Sequence, residues 1–519
     1  MQNMIRKFTA GLLAALLTAC ANDLGNYDYR DLDEPVITGI GTPLAVLTHT
    51  RLQLSPDLGG DFPESRYAFE WRALSESAGT VETLAETRDL DYVVTLAAGA
   101  YTLLFKVTER SSGVYWQQSC ALQVSDTTSE GWMVLCAEGA DDRVRLDMVS
   151  AVTGETYTDV LRNNGMPVLT GPRRILWSRF ADSESPYYLL TDDGATRLGR
   201  NGFEWKEEYR LVYEMGTSAD PCPETIVDAT KAKMLVGGGE AFFAECVVAP
   251  GLFGPVGESL NAAPAVGCNI TTQAIVVPMA LLYDLDGKRF MGYSPTMRSA
   301  MGSRESLYEM NELVDLLGAM DEGGSVVGNA FDRFPRGMDF VWMENTRYDP
   351  NGTNMGVVYT VLREGDRFCL YGTQLGELWG KVTVGDCAYA LGKAAYGDLS
   401  ACTEIARATQ FAFSSLKSCL YYAVGDTVYR VDLAASPLVA ERQFTLPGET
   451  ITCMKFNMFQ QSANLRRSFD LVVASVRDGA GTLRIYEGFD SDGDFSAVEP
   501  EIHTGLGRIV DVAYREMLR

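Results

Sequence analysis

The chain has 519 residues, a length at which a single hydrophobic core has stopped growing, so we expect two domains or a radial repeat. Its 69 acidic residues outnumber its 44 lysines and arginines, and the resulting net charge of −25 argues against nucleic acid and against electrostatic adhesion to a membrane. The two histidines, His49 and His503, fit neither an HExxH zinc motif nor a Ser-His-Asp triad, which excludes those two hydrolase classes.

Residues 1–19 have the features of a cleaved export signal. Two basic residues precede an apolar run at 10–17, which is too short to span a hydrocarbon core of ~30 Å. The small residues that follow, directly before Cys20, resemble the lipobox of bacterial prolipoproteins, in which the cysteine is lipidated and becomes the first residue. We therefore expect Cys20 to be acylated. The alternative is an ordinary secretory signal followed by a coincidental cysteine.

Residues 20–34 are polar and acidic and contain too few apolar positions to build a core. We expect them to form a tether. At ~3.3 Å per residue, such a tether holds the next domain up to a few tens of ångströms from the membrane.

Residues 35–125 alternate short apolar runs with turn residues, which is typical of a small antiparallel sandwich. Trp71 is expected to fill the core, and alternate residues of the run at 101–108 are expected to face inward. Three stretches resemble a PKD-like, immunoglobulin-type module: 67–71, 98–108 and 113–116. Strands are expected at 36–40, 48–54, 67–73, 92–96, 101–108 and 115–124.

After a polar break at 126–130, residues 131–519 repeat one pattern seven times. An apolar run meets a turn that contains glycine, and a second apolar run follows. The intervals between these glycines, 44 to 78 residues, are close to the length of one four-stranded propeller blade. The last apolar run, at 509–514, begins no new blade and is expected to close the ring by pairing with 132–135. The turn glycines are Gly139, Gly194, Gly238, Gly287, Gly365, Gly425 and Gly479.

The predicted fold is therefore all-β, an immunoglobulin/PKD-like sandwich followed by a β-propeller. Seven blades fit the pattern best, and six or eight remain open because the fourth interval is stretched. That interval predicts a helical insertion near 303–318, because Ser306–Glu309 resembles a capping box and apolar residues continue on one helical face. The helix marks either a functional face or a structural cap over a blade.

Ten cysteines follow Cys20, and none of them forms a CxxC pair. An exported protein permits disulfides, but several of these cysteines lie within apolar strand-like runs. We expect most of them to be buried free thiols.

Aromatic residues are the candidates for ligand binding, because flat rings beside polar groups suit sugar rings or peptide side chains. Trp342 and Tyr348, which flank a polar turn, are the first choice for an exposed platform. Trp177, Trp205 and Trp379 are further candidates. The alternative for each is packing inside a blade.

No catalytic residue and no cofactor are assigned, and no metal is expected. The weak candidate for a metal site is Asp490, Asp492 and Asp494, whose spacing could offer three oxygens to calcium. Phe495 stands where an EF-hand loop needs glycine, so a solvated hairpin tip is the alternative.

The order of these features resembles the PKD-like family lipoproteins of Bacteroidota. The resemblance rests on the lipobox cysteine, the stretch at 25–34 with its Asn-Tyr-Asp-Tyr motif, the PKD-like module, and the Gly131–Leu135 entry into the β-rich region. It implies a surface lipoprotein that accompanies SusC-like TonB-dependent transporters and their SusD-like partners. The family offers no catalytic motif to transfer.

The sequence thus favours a noncatalytic binding or scaffold lipoprotein, anchored in the outer membrane by lipid alone, that assists capture of a glycan or peptide by a TonB-dependent uptake complex. Exposure at the cell surface is what the resemblance implies. The tether itself does not indicate it, because no dense acidic run follows Cys20. The alternative is a propeller-type, carboxylate-dependent glycosidase or lyase, which would need two acids at a fixed separation across a pocket.

Overall fold

The computed structural model describes residues 33–517 except 49, 77–78, 163, 248, 258–259, 270–278, 295–305, 311–332, 350–355, 376–390, 416 and 460. The chain divides into two compact units, Met1–Val124 and Ser125–Arg519. The expected export signal, Cys20 and most of the expected tether lie outside the described residues. In the part of the chain that is described, no helix is both long enough and apolar enough to cross a membrane.

The first unit is a β-sandwich. Its described residues form a five-stranded sheet in the order β1-β7-β6-β3-β4 and a two-stranded sheet of β2 and β5. The strands are β1 (Leu44–Leu47), β2 (Arg51–Leu54), β3 (Tyr67–Ser75), β4 (Val81–Ala85), β5 (Leu90–Val93), β6 (Gly99–Glu109) and β7 (Tyr115–Ser125).

Alternation along the long strands creates the core of the sandwich. Every second residue of β6, from Tyr101 to Val107, is buried, as the sequence predicted. The Trp71 side chain is fully buried, its ring centroid lies 4.5 Å from that of Phe105, and its indole N–H donates to the carbonyl of Arg88 at 3.2 Å. The strand expected at 36–40 is wrong. Only Thr38 pairs there, in a single bridge with Asp57.

The second unit is a β-propeller, and its described residues form seven antiparallel sheets that we number as blades in chain order. The strands of blades one to three are β8 (Gly131–Glu138), β9 (Arg143–Ser150) and β10 (Thr156–Tyr157); β11 (Pro172–Trp177), β12 (Tyr187–Thr191) and β13 (Gly194–Leu198); and β14 (Pro223–Ala229), β15 (Ala232–Gly237), β16 (Glu240–Glu245) and β17 (Gly254–Pro255).

Blades four to seven each have four strands. They are β18 (Gly267–Cys268), β19 (Ala280–Asp284), β20 (Arg289–Tyr293) and β21 (Leu307–Glu309); β22 (Asp339–Thr346), β23 (Val357–Glu364), β24 (Arg367–Leu375) and β25 (Leu391–Asp398); β26 (Gln410–Phe413), β27 (Cys419–Val424), β28 (Thr427–Asp432) and β29 (Ala440–Thr445); and β30 (Thr450–Phe456), β31 (Leu471–Arg477), β32 (Ala480–Tyr486) and β33 (Glu501–Leu506). Short 3₁₀ helices occupy Glu207–Tyr209, Leu211–Glu214, Ile405–Arg407 and Ser462–Phe469.

The predicted fold class is confirmed, and the seven predicted hairpins are antiparallel strand pairs, one in each blade. They are β8–β9, β12–β13, β15–β16, β19–β20, β23–β24, β27–β28 and β31–β32. In six of these turns the predicted glycine has a positive φ, which L side chains rarely adopt. In the turn of blade four, Lys288, the residue after Gly287, has φ +46° instead.

Each pair of neighbouring blades is joined by its own hydrophobic cluster. In β8, for example, Trp132 and Val134 belong to the cluster shared with blade seven, whereas Met133 and Leu135 belong to the cluster shared with blade two. Because a central strand is buried on both faces, its sequence is an almost continuous apolar run instead of an alternating one.

The last strand of the chain closes the ring. β34 (Arg508–Arg515) pairs antiparallel with β8, and Tyr514, Val512 and Asp511 lie opposite Trp132, Val134 and Leu135. The predicted closure between 509–514 and 132–135 is therefore confirmed. Blade one takes its innermost strand from the far end of the chain.

The helix predicted near 303–318 does not begin at Ser306. Residues 307–309 form β21, which pairs with β20, and Tyr308 lies opposite Gly292. Glu309, expected to complete a capping box, receives a guanidinium N–H of Arg289 at 3.1 Å. Pairing with a neighbouring strand thus overrides the local helical pattern, and residues 311–318 lie outside the described part of the chain.

The nine cysteines that the structure describes are all free. Seven of them are buried, and Cys222 and Cys246 are half-buried. The prediction of mostly buried free thiols is confirmed for these residues, whereas Cys387 is not among them.

Candidate functional site

A cavity of about 950 Å³ lies at the centre of the propeller. The first strands of neighbouring blades contact one another around the ring, so the side chains on their inner faces surround a common axis. The lining comes from β11, β14, β22, β26, β30 and β34, together with Ala265 and Val266 just before β18. All seven blades therefore contribute to one site.

The cavity concentrates positive charge inside an acidic protein. Four carboxylates line it, on Asp228, Glu344, Asp349 and Asp511. Five basic side chains line it as well, on Arg173, Arg174, Arg179, Arg347 and Lys455. Which of these charges are already paired decides what the cavity can bind.

Two of the basic groups have carboxylate partners. Lys455 Nζ lies 2.7 Å from Asp511 Oδ1, and the backbone N–H of Ile175 donates to Asp511 Oδ2 at 3.0 Å. Arg173 pairs with Asp192 at 2.6 Å. The contacts of Asp511 join blade one to blades seven and two, whereas Arg173 and Asp192 both belong to blade two.

Asp228 fixes the turn that follows β11. Its carboxylate accepts the Ser178 hydroxyl at 2.6 Å and the backbone N–H of Arg179 at 2.8 Å. Burial raises the pKa of Asp228, against these two hydrogen bonds. The acid therefore holds the Arg179 backbone in place through these hydrogen bonds.

Glu344 is the most perturbed acid of the cavity. Burial raises its pKa to about 8, although it accepts the indole N–H of Trp342 at 3.3 Å and a backbone N–H of Phe413. The positive charges of Lys455 and Arg174 oppose the shift without cancelling it. Near neutral pH the Glu344 carboxyl is thus mostly protonated, which leaves the cavity with a positive balance.

Three guanidinium groups, those of Arg174, Arg179 and Arg347, form no ion pair within the described part of the chain. Arg174 is exposed to the cavity and makes one long hydrogen bond, 3.4 Å to the Thr225 hydroxyl. Arg179 donates to the carbonyl of Ala229 at 3.0 Å, but its buried Nε has no hydrogen-bond partner.

Arg347 lies close to Arg179. Burial lowers the pKa of the Arg347 guanidinium; the carboxylate of Glu516 opposes this shift, and the charge of Arg179 adds to it. Two like charges that form no ion pair with any described residue therefore share one end of the cavity, beyond the ends of β11 and β22.

The structure places only some of the aromatic candidates in the cavity lining. Trp177 and Trp342 line the cavity, and Trp342 also packs against Phe411 with ring centroids 5.8 Å apart. Trp205 is not part of the lining; its indole N–H donates to Thr196 at 2.9 Å. Tyr348 packs beside the cluster between blades five and six.

Trp342 and Tyr348 were expected to form an exposed platform. The prediction is wrong about their exposure, because both residues are half-buried. Trp379 lies outside the described residues.

The three aspartates of the candidate metal site have separate partners. Asp490 pairs with Arg466, Asp492 lies 3.2 Å from Lys417 Nζ, and the Asp494 carboxylate accepts the Ser496 backbone N–H at 2.9 Å. Among the described residues, no group of three or more His, Cys, Asp or Glu side chains could hold a metal ion.

Sequence patterns did not identify the unpaired arginines. A signal was present, because Arg173, Arg174 and Arg179 fall within seven residues of one another in a strongly acidic chain. Arg347 has no such signal. It shares the cavity with Arg179 only because the ring brings blade five opposite blade two.

Comparisons with known proteins find one family and several solved structures to which parts of the chain are similar. The model of the PKD-like family matches residues 20–172. No curated protein sequence matches the chain. A quinoprotein alcohol dehydrogenase-like protein from Bacteroides thetaiotaomicron has 10% sequence identity and a TM-score of 0.37, with 94% of this chain and 97% of that chain covered.

Two WD40 domains are also similar. The Pan2 domain of Neurospora crassa has 8% identity and a TM-score of 0.35, and the match covers 66% of this chain and 82% of that domain. The SCAP domain of fission yeast has 9% identity and a TM-score of 0.32, with coverage of 64% and 74%. None of these similarities identifies a ligand.

Proposed function

We propose that the protein is a noncatalytic binding or scaffold lipoprotein whose propeller binds a glycan or peptide in its central cavity. The observation that carries the proposal is the cavity itself. Its volume of about 950 Å³ falls in the range of small-molecule sites, and tryptophans lie there beside unpaired polar groups. Rigid strands from six of the seven blades hold these side chains in place.

The proposal places the protein on the outer membrane through the lipid on Cys20, exposed at the cell surface beside a SusC/SusD-like uptake complex. The resemblance of the N-terminal region to the PKD-like lipoproteins supports this location. Along the chain, the sandwich lies between the tether and the propeller. A tethered binder meets its partners at high effective concentration, so even weak affinity suffices.

Replacing the lipidation cysteine tests the anchor. We expect Cys20→Ser to move the protein from the membrane fraction to the soluble fraction, because the lipid is the proposed membrane contact. The wild-type chain should stay with the outer membrane and co-purify with a TonB-dependent transporter after mild crosslinking. A Cys20→Ser protein that stays in the membrane fraction would contradict lipid anchoring.

A paired tryptophan substitution tests the cavity. We expect Trp177→Ala to weaken ligand binding about tenfold, since stacking on one aromatic ring contributes roughly 0.5–1.5 kcal/mol. Trp205→Ala is the matched control, because both rings are half-buried in blade two and pack on the same cluster, yet Trp205 is not part of the cavity lining. Calorimetric titration of the chain from Ala21 with glycan and peptide panels gives both affinities. Equal losses in the two variants would place the site elsewhere.

The second candidate is a carboxylate-dependent glycosidase or lyase, and the observation that favours it is Glu344. A carboxyl group that stays protonated near neutral pH can act as a general acid. Product analysis in the same titrations separates the two functions. Binding without bond cleavage supports the first, whereas cleavage that is lost in Glu344→Gln establishes the second.

A further inference from the structure

The end of the cavity beyond β11 and β22 has unusual electrostatics. Two half-buried arginines elsewhere in the propeller are neutralised: Arg145 pairs with Asp147 at 2.7 Å, and Arg484 with Glu449 at 2.8 Å. Arg179 and Arg347 lack such partners in the described residues. A buried guanidinium N–H with no acceptor destabilises the fold, and two like charges close together add to that cost.

The acids of the cavity do not relieve this imbalance. Asp511 is occupied by Lys455 and the Ile175 backbone. Asp228 accepts the Ser178 hydroxyl and the Arg179 backbone N–H, and burial raises its pKa against these hydrogen bonds and against the charge of Arg179. Asp349 accepts the Gln374 amide at 2.8 Å. The arrangement favours an anion that approaches from outside and supplies the missing acceptor oxygens.

The planar geometry of the arginine guanidinium indicates which class of anion the site prefers. A planar guanidinium donates two parallel N–H groups and matches the two oxygens of a carboxylate. Trp177 comes two residues before Arg179 in the chain and lines the same cavity, and Trp342 lines it from blade five. Flat aromatic faces next to carboxylate-binding arginines fit a sugar ring that carries a carboxylate.

On the basis of the proposed function, we propose that the cavity binds an acidic oligosaccharide, and that Arg179 and Arg347 together bind the carboxylate of one of its uronate residues. The negative exterior does not prevent this, because a positively charged site with low-dielectric walls focuses its own field. The ligand is thus selected by charge at one end of the cavity and by ring stacking along its wall.

The test is calorimetric titration of the chain from Ala21 with tetragalacturonate and with its methyl ester, in which each carboxylate is replaced by an uncharged ester that carries one more methyl group. We expect the ester to bind at least about tenfold more weakly than the acid. Arg179→Met and Arg347→Met should each weaken binding of the acid by about 10- to 100-fold, the worth of a charged hydrogen bond, and should reduce discrimination against the ester. Arg442→Met is the matched control, because Arg442 also forms no ion pair with any residue that the structure describes, but it is exposed on β29, outside the cavity lining.

Thermal unfolding separates binding from a structural role. Because Arg179 and Arg347 repel each other, their methionine variants should unfold at the same temperature as the wild type or higher. A large loss of stability in both would mean that these arginines support the fold, and it would overturn the proposal.

Titrations with the different ligands distinguish the remaining outcomes. Equal affinity for tetragalacturonate and its ester would overturn the carboxylate site and leave the proposed binding function intact. Binding of a glutamyl peptide without binding of the uronate would overturn the assignment to a glycan. No binding of any glycan or peptide in the panels would overturn both the site and the proposed function.

Discussion

A single charge in the closing strand should destroy the propeller. We expect Ile509→Asp to destabilise the second unit by at least about 4 kcal/mol, because it buries a carboxylate that has no partner. The Ile509 side chain is fully buried in the cluster between blades seven and one, and its backbone lies opposite Cys136 of β8. Urea unfolding followed by circular dichroism measures the loss.

The size of this effect follows from how the ring closes. β34 is the innermost strand of blade one, although every other strand of that blade comes from the start of the propeller. A defect in β34 therefore weakens one sheet and the two blade interfaces beside it. A single blade cannot bury both of its faces without neighbours, so opening one joint exposes apolar strands to water.

Ile502→Asp is the matched control. Ile502 lies in β33, the outer strand of blade seven, with 53% of its surface exposed, so the same substitution should change stability by no more than about 0.5 kcal/mol. Similar urea midpoints for the two variants would mean that closure through β34 does not limit the stability of the propeller.

The hairpins and the closure were predictable because their signals are local or terminal. A central strand buried on both faces needs an apolar run, and a tight turn needs a residue that accepts positive φ; both features are visible in one short stretch of sequence. The run at 509–514 could be matched to 132–135 because each of the seven hairpins already contains two strands. The last run is therefore the one that remains to close the ring.

The strand β21 and the cavity could not be predicted in this way. At Leu307–Glu309 the sequence has helical spacing, yet pairing with β20 decides the structure, and nothing within the segment itself signals that partner. The arginine pair has the same origin, since Arg179 and Arg347 come together only through the order of the blades. Local patterns thus revealed the repeating unit, whereas the site depends on how the units are arranged.

The Glu344 carboxyl should make the stability of the protein depend on pH. Its pKa is about 8 in the folded chain against 4.5 as the ordinary value, so between these two pH values the folded state holds a proton that the unfolded state has released. The contribution of the Glu344 carboxyl to folding stability is therefore fully present below pH 4.5 and is lost as the pH rises toward 8. Glutamine imitates the protonated carboxyl, so Glu344→Gln should remove this dependence.

The expected gain in folding stability of Glu344→Gln over the wild type is largest at high pH. Each pH unit in the window weakens folding by up to about 1.4 kcal/mol. Since Glu344 is only half-buried, water in the cavity reduces this effect, and we expect Glu344→Gln to be about 2 kcal/mol more stable than the wild type at pH 8.5 and equal to it at pH 4. Urea unfolding of both proteins at several pH values gives the difference directly.

Glu449→Gln provides a control of opposite sign. Burial alone would raise the pKa of Glu449, but hydrogen bonds from Arg484 and Ser475 prevail and lower it. The carboxylate of Glu449 therefore stabilises the fold above its ordinary pKa, and that contribution is lost as the pH falls through the lowered folded value, so Glu449→Gln should be destabilising at neutral pH. If Glu344→Gln were destabilising at pH 8.5 as well, the fold would not raise the pKa of the Glu344 carboxyl, and the group would be ionised in the cavity at neutral pH. The positive balance of the cavity would then rest on the unpaired arginines alone.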